Sequence, residues 1–456
     1  MELLPRGGAL GAVDGLLDRL REQGVECHSL MVVHRGKVAA EGWWAPYSAE
    51  RVHLLYSLTK SFTSIAVGIA IGDGLLSLED RLVDVLPEHV PADVSEQGRR
   101  ITVHHLLSMT VGHEEDSLEE AWRLEPADLV KGFLRVPFVH PEGTRHVYDN
   151  ATTFILARMV ERVTGQDLPE YLDERLFTPM GIEDAEWDRV ASGAAFGFHG
   201  LHLTTEAIAA FGELLLRGGR WGDQQLVPRE WVELATTKYV DTLPLPNWTE
   251  NQDFQSGYGY QFWISRHGYF GHGSYGQYCV VVPSHELVVA ITGAIGPEAV
   301  LPGLIWDCLL PALDSGGADD ALADRLRNLS LATIEGTAGR SAEAKIDDTS
   351  EVLPSGTTVT LDAVDGGWTL RLGPLTVDVG HRAWRESSPL GRPIVAMGGW
   401  QGDTYVADVY VITTPHRVRL TITGGTATAT WNVIPLTGPD LLKHVRAPLM
   451  TRPDVS

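Results

Sequence analysis

Between residues 27 and 43 the chain reads CHSLMVVHRGKVAAEGW: apolar on both sides of the pair Arg35-Gly36. This pattern predicts two strands joined by a tight turn. Ahead of it, residues 1 to about 25 carry Leu16, Leu17 and Leu20 at helical spacing. Behind it, the run that starts at Ser57 places Phe62, Ile65, Ala66 and Ile69 on one helical face and stops at Gly72-Asp73-Gly74. From about 75 to 256, helical stretches alternate with Gly- and Pro-marked breaks, and residues 151–165 and 205–219 are the clearest helices. Strand patterns return at 258–265, 277–283 and 286–292, the last two linked by Pro283-Ser284-His285. Strands, a large helical insert and strands again predict an α+β fold. An antiparallel sheet is built from both ends of this region and flanked by helices, with a large helical subdomain.

The first domain is accordingly expected over residues 1–313. Residues 314–348 are rich in Gly, Ala, Asp and Ser, with one short helical patch, and read as a linker region. From 349 to 445 the composition turns to Thr, Val and Gly. Val418, Leu420 and Ile422 alternate with Arg417, Arg419 and Thr421, and Asp365-Gly366-Gly367 and Gly424-Gly425 are hairpin signals. A small all-β domain, barrel or sandwich, is predicted there, followed by a tail over 446–456.

Charge narrows the partners. The formal net charge is -24, which argues against nucleic acid and anionic membranes, since both select basic surfaces. A small-molecule substrate is the expected partner. The three cysteines, Cys27, Cys279 and Cys308, are widely spaced and show neither a disulfide framework nor a zinc spacing. With no basic n-region before an apolar core at the N-terminus, a cytoplasmic location is expected. No run approaches transmembrane length. No phosphate or dinucleotide glycine motif and no metal-ligand spacing occurs, so no cofactor and no metal are expected.

Lysine is scarce: six of the 36 basic residues, and the rest arginine. Arginine does not deprotonate in proteins, so a lysine placed beside a nucleophile draws notice here. Ser57 and Lys60 stand three apart at the head of the buried helix, on one face. Main-chain N–H groups at a helix start favour a developing negative charge on Ser57, and burial disfavours a charged Lys60, which fits it to accept the serine proton. Alone the motif is weak, because six lysines produce one S-x-x-K by chance about one time in three, and Ser57 as a plain helix N-cap accounts for it equally well. Further on, Tyr148-Asp149-Asn150 precedes a helix. Tyrosine relays protons if cations lower its pKa, and asparagine holds an amide. A Gly-rich strand entry, FGHGSYGQYCVVV, offers main-chain N–H groups for an oxyanion hole.

In this order, S-x-x-K, Y-x-N and a His/Gly strand entry, the chain resembles the serine β-lactamase and penicillin-binding-protein superfamily. It looks most like the class C β-lactamases, family VIII esterases and D-amino-acid-specific peptidases. Thr102-Val103-His104-His105-Leu106-Leu107-Ser108-Met109-Thr110 with Gly112, Pro141-Glu142-Gly143 ahead of Tyr148, and Leu203-Thr204-Thr205 match further stretches of that pattern. The resemblance spans residues from about 25 to 312 and implies a β-lactamase/transpeptidase-like fold. It implies that Ser57 is acylated, that Lys60 takes its proton, that Tyr148 shuttles the proton to the leaving group, and that Asn150 orients the acyl side. His272, Gly273 and Ser274 fall at the third motif, where the family has Lys or His, any residue, then Gly. Ser274 stands where that glycine is expected, so the second oxyanion donor is any residue from Gly273 to Gly276.

Other readings compete. His272-Gly273-Ser274-Tyr275-Gly276 nearly spells the G-x-S-x-G elbow of α/β-hydrolases, but a strand pattern follows it where that elbow needs a helix. The acidic run Glu114-Glu115-Asp116 with Glu119 and Glu120 reads as a solvated loop face or as a selector of cationic substrates. His199 and His202 read as loop histidines, and Trp43-Trp44 as packing or a substrate lip. The function expected is a serine hydrolase acting through acyl-Ser57 on small ester or amide substrates, esterase-like. Acyl transfer to an amine with peptide cyclisation, D-amino-acid-specific peptidase activity, and a non-catalytic binding relative are the alternatives.

Overall fold

The computed structural model of the chain describes residues 2–7, 10–190, 192–242, 252–296, 301–313, 320–447 and 450–451. Residues 314–319 of the expected linker and most of the expected tail lie outside them. The first region is built on six strands: β1 (Cys27–His34), β2 (Lys37–Trp43), β3 (Trp263–Ile264), β4 (Tyr269–Gly273), β5 (Gln277–Val282) and β6 (Leu287–Gly293). Their order is β2-β1-β6-β5-β4-β3, antiparallel throughout, so the two ends of the region meet where Leu30 faces Ile291 and Val32 faces Val289.

Both faces of this sheet are covered, which is why its strands read as near-continuous apolar runs. Met31, Val33, Val281 and Val288 pack under helices α2 (Thr59–Gly72) and α4 (Thr205–Leu216). The alternate residues Leu30, Val32, Val280 and Val289 pack against α1 (Ala12–Glu22) and α5 (Leu301–Cys308). The helical insert carries α3 (Asn150–Thr164), which packs along α2. Trp43 and Trp44 pack against these two cores, one each.

Two elements differ from expectation. α1 starts only at Ala12. The strand expected over 258–265 shrinks to Trp263–Ile264, because Gln261 takes a left-handed conformation (φ 66°). That turn lets its side chain reach inward: Gln261 Nε2 donates to Leu107 O at 2.8 Å and Thr153 Oγ1 donates to Gln261 Oε1 at 2.6 Å. The residue gives up a ladder position to tie the insert to the sheet.

The C-terminal region is a barrel of nine strands: β7 (Ala342–Ile346), β8 (Thr358–Val364), β9 (Gly367–Leu372), β10 (Leu375–Gly380), β11 (Arg385–Ser387), β12 (Ile394–Gln401), β13 (Thr404–Tyr410), β14 (Arg417–Thr423) and β15 (Thr426–Trp431). The order is β10-β9-β8-β7-β15-β14-β13-β12-β11, and a β10–β12 pairing at Gly380 and Met397 closes it. β7 lies in the stretch whose composition reads as linker. Its alternation is short, but Ala344 and Ile346 are buried and fill the barrel beside β15. Along β14, Val418, Leu420 and Ile422 face the barrel core, as their alternation predicts.

Candidate active site

Ser57 sits in a single 3₁₀ turn, Tyr56–Leu58, that runs directly into α2. The turn is wedged against β4. A Cβ on Gly273 would stand 1.8 Å from Leu55 O, and one on Gly271 would stand 2.4 Å from Leu58 Cδ1. Glycine at both positions is what lets the strand pass this close. His272, between them, points to the opposite face of the strand, where its ring meets Phe254 and Tyr278. Ser274 and Tyr275 form the turn after the strand, with Gln277 Nε2 donating to both carbonyls at 3.0 Å.

Lys60 lies one turn into α2 and is 1% exposed. Its ammonium donates to Ser57 Oγ at 2.9 Å, Asn150 Oδ1 at 2.6 Å and Phe198 O at 3.2 Å. Three acceptors match three hydrogens. Burial outweighs the attraction of Asp116 and Asp149 and brings the Lys60 pKa down to about 7. The neutral amine keeps two hydrogens, enough for Asn150 and Phe198, and its lone pair then faces the Ser57 hydroxyl.

Tyr148 hydrogen-bonds to Ser57 and its ring lies under the Lys60 nitrogen, 4.8 Å away. Trp263 stacks on it at 5.6 Å. The lowered tyrosine pKa that a nearby cation suggests is not found. Burial dominates, with Asp116 adding to it, and the phenol is held above its usual range despite the Ser57 bond. Tyr148 therefore stays protonated and is a proton carrier, not a resident phenolate.

Asn150 opens α3, and Asp149 caps that helix by accepting from Ala151 N at 2.9 Å. Asp149 is itself held by Ser117 Oγ at 2.7 Å and His113 Nδ1 at 3.2 Å. The cap thus aims Asn150 at Lys60. Asp116 accepts from Asn150 N at 3.0 Å and also from its side-chain amide. That choice fixes Asn150 with its oxygen toward Lys60.

The four residues Ser57, Lys60, Tyr148 and Asn150 are brought into one bonded cluster. Gly273 abuts it, and His272 lies near enough for Lys60 to add to the burial that brings its pKa to about 3. Sequence reasoning misses Asp116, which hides in the acidic run: all three of Glu114, Glu115 and Asp116 are exposed, but Asp116 turns its carboxylate onto Asn150. Crowding by protein and by Asp149 pushes that carboxyl up, against the solvent contact the residue keeps. Tyr56 is also missed, as nothing in its spacing marks it. His202, read as a loop histidine, is buried and bonds Asp188 at 3.0 Å. His199 is buried with its ring stacked on Tyr56 at 5.2 Å.

A separate cleft of about 740 Å³, lined by Leu4, Glu213, Arg217 and Trp221 among others, shares no residue with this cluster and holds no serine–lysine pair. Among the described residues no group of three or more His, Cys, Asp or Glu is arranged to hold a metal ion. No helix among them is long and apolar enough to cross a membrane.

The sequence matches the Beta-lactamase family over residues 13–299. The chain belongs to that family. It is 32% identical over 165 residues to a lovastatin esterase of Penicillium rubens, covering 31% of this chain and 41% of that protein. It is 27% identical over 241 residues to a 6-aminohexanoate-dimer hydrolase of Paenarthrobacter ureafaciens, covering 48% and 61%. The chain thus spans about half the length of the curated relatives it matches. The octameric penicillin-binding protein homologue from Pyrococcus abyssi superposes with a TM-score of 0.52 at 17% identity, over 92% of this chain and 97% of that one. That likeness extends past the sheet and helices into the C-terminal barrel.

Proposed function

We propose that the protein is a serine hydrolase that acts through an acyl-Ser57 intermediate on small ester or amide substrates, with esters preferred. One observation carries the reading: Lys60, buried and with a pKa brought to about 7, has its nitrogen 2.9 Å from Ser57 Oγ. A base poised near neutrality within hydrogen-bond reach of a hydroxyl is what nucleophilic acylation requires. The relatives named as a lovastatin esterase and a 6-aminohexanoate-dimer hydrolase support it.

In the first step the Ser57 oxygen bonds to the substrate carbonyl carbon and its proton passes to the Lys60 lone pair. The carbonyl electrons move onto oxygen, where the Ser57 N–H and one N–H from the turn between Gly273 and Gly276 receive the charge. As the carbon–leaving-group bond breaks, Tyr148 hands its proton to the departing oxygen or nitrogen and is restored by the proton on Lys60. Water then attacks the acyl-enzyme, and the same relay returns Ser57. Asn150 holds the Lys60 nitrogen by its oxygen and orients the acyl side.

The exposed apolar side chains Ile434 and Leu436, carried by the barrel beside Tyr56 and Tyr275, favour an apolar acyl group over a charged one. We take residues 1–313 as the hydrolase domain and a cytoplasmic site of action, in keeping with the unpaired thiols of Cys27, Cys279 and Cys308. The test is labelling with a fluorophosphonate followed by peptide mapping. Modification of Ser57, lost in Ser57→Ala together with hydrolysis of p-nitrophenyl esters, is the expected result. Label on Ser274, or ester turnover above a few per cent in Ser57→Ala, would overturn the assignment.

A further inference from the structure

Two non-glycine residues beside the proposed acylation site hold left-handed backbone: Tyr56 at φ 49° and Tyr275 at φ 65°. The first precedes Ser57. The second follows Ser274, in the turn that offers the second oxyanion N–H. Such conformations are strained for tyrosine and persist only where the surroundings enforce them. Here the surroundings belong to the barrel.

Tyr56 is 2% exposed and its hydroxyl is fully engaged. It bonds to His416 Nε2 and receives a main-chain hydrogen bond from Leu436. The tautomer of His416 follows from its other nitrogen. Nδ1 lies 2.9 Å from Val433 O, so Nδ1 carries the hydrogen and donates it. Nε2 is left with a lone pair and accepts from Tyr56. Tyr275 donates its hydroxyl to Ile434 O. The rings of Tyr56, Tyr275 and His416 pack mutually, at 5.3 Å, 5.9 Å and 5.4 Å between centroids. Just upstream, Leu54 N donates to Thr413 O at 2.8 Å. Two neighbouring segments of the barrel region, His416 and Val433–Leu436, joined by the His416–Val433 bond, therefore grip both tyrosines.

We propose that the C-terminal barrel is a working part of the active site, with His416 as a positioning residue for acylation. By holding Tyr56 and Tyr275, it fixes the two pieces of main chain whose N–H groups receive the oxyanion. His416 touches neither substrate nor Ser57. It acts through Tyr56, whose carbonyl carbon is bonded to the Ser57 nitrogen. The role rests on the reading of Ser57 as nucleophile. It also explains why the junction is built from hydrogen bonds to tyrosine hydroxyls: an apolar junction would hold the barrel in place without setting the rotation of these two turns.

The experiment uses the full chain and three variants, Tyr56→Phe, His416→Phe and the double variant. The rate constant for fluorophosphonate labelling of Ser57 is read by intact mass, alongside kcat and KM for p-nitrophenyl acetate and the melting temperature. The expected result is a fall of about ten- to a hundredfold in the labelling rate constant and in kcat. KM should stay within about twofold. The double variant should be no slower than the worse single one, since both remove one linkage. A purely structural role would lower the melting temperature and the labelled fraction, but leave the rate constant of the folded fraction unchanged. Labelling of Ser57 at the wild-type rate constant in Tyr56→Phe would overturn the positioning role alone. Absence of label on Ser57 in the unmodified protein would overturn the reading of the site and this role with it.

Discussion

Two buried charges lie near Ser57, and their surroundings treat them in opposite ways. Lys60 has three neutral acceptors around its nitrogen, and no carboxylate within ion-pair distance is among them. Burial dominates and its pKa falls to about 7. Asp188 is buried just as deeply, but a guanidinium and an imidazole face it: Arg392 Nη2 at 2.9 Å and His202 Nε2 at 3.0 Å. Burial alone would raise its pKa. His202 and Arg392 win, and it drops to about 2. One group is held near its titration point at working pH and the other is locked in its charged form. A displaced pKa on its own does not separate catalytic from structural roles. What separates them is whether the surroundings leave the group free to change its charge.

The largest effect is expected where that freedom is removed. Lys60→Arg keeps a cation of similar reach but cannot give up its proton. Acylation should fall by about 10³-fold, the scale of losing a general base. Intact-mass kinetics with an activated ester would read it. Wild-type-like acylation in this variant would show that the contrast between the two charges has no catalytic meaning.

The locked charge is tested through stability. Arg392 belongs to the barrel and is 3% exposed, and it also donates to Thr413 Oγ1 at 3.0 Å and Arg446 O at 3.2 Å. Arg392→Leu strips Asp188 of its permanently charged partner in a buried place, at a cost of about 3–5 kcal/mol. Thermal or urea unfolding would measure it. The carboxyl's folded pKa lies below its unfolded value near 3.8, so its contribution is present above that pH and is lost as pH falls toward about 2. A loss of under about 1 kcal/mol would mean that the junction does not depend on this ion pair.

The contrast also marks what the sequence discloses. Ser57, Lys60, Tyr148 and Asn150 are legible because short spacing on a helix start, and a cap followed by a helix, are local properties. The α+β order is legible because sheet residues and helix faces have different periods. Asp188, Arg392 and Tyr56 are not legible: they acquire their roles from partners about 200 or more positions away, as Arg392 is from Asp188 and His416 from Tyr56. Asp116 is not legible either, for a carboxylate that bonds Asn150 looks the same in sequence as Glu114 and Glu115 beside it. β7 does not stand out from a linker-like composition, because a five-residue strand with two inward positions has too little alternation.

The smallest effect concerns how the Lys60 pKa is set. With Lys60 as base, the acylation rate should rise with pH and level off, with a midpoint near its pKa of about 7. Asp116 and Asp149 act on that value in one direction: their negative charges favour the ammonium and raise it against burial. Asp149 is tied into the helix cap, but Asp116 touches the cluster only through Asn150. Asp116→Asn keeps one acceptor oxygen, for Asn150 N, and removes the charge. Lys60 should then release its proton more readily, and the midpoint of the pH–rate profile should move to lower pH with little change in the plateau. A profile that loses its midpoint near 7 altogether would mean that Asp116, not Lys60, is the group whose ionisation the rate follows. In that case the raised carboxyl in the cleft, and not the lysine, would be the side of the comparison poised to change its charge.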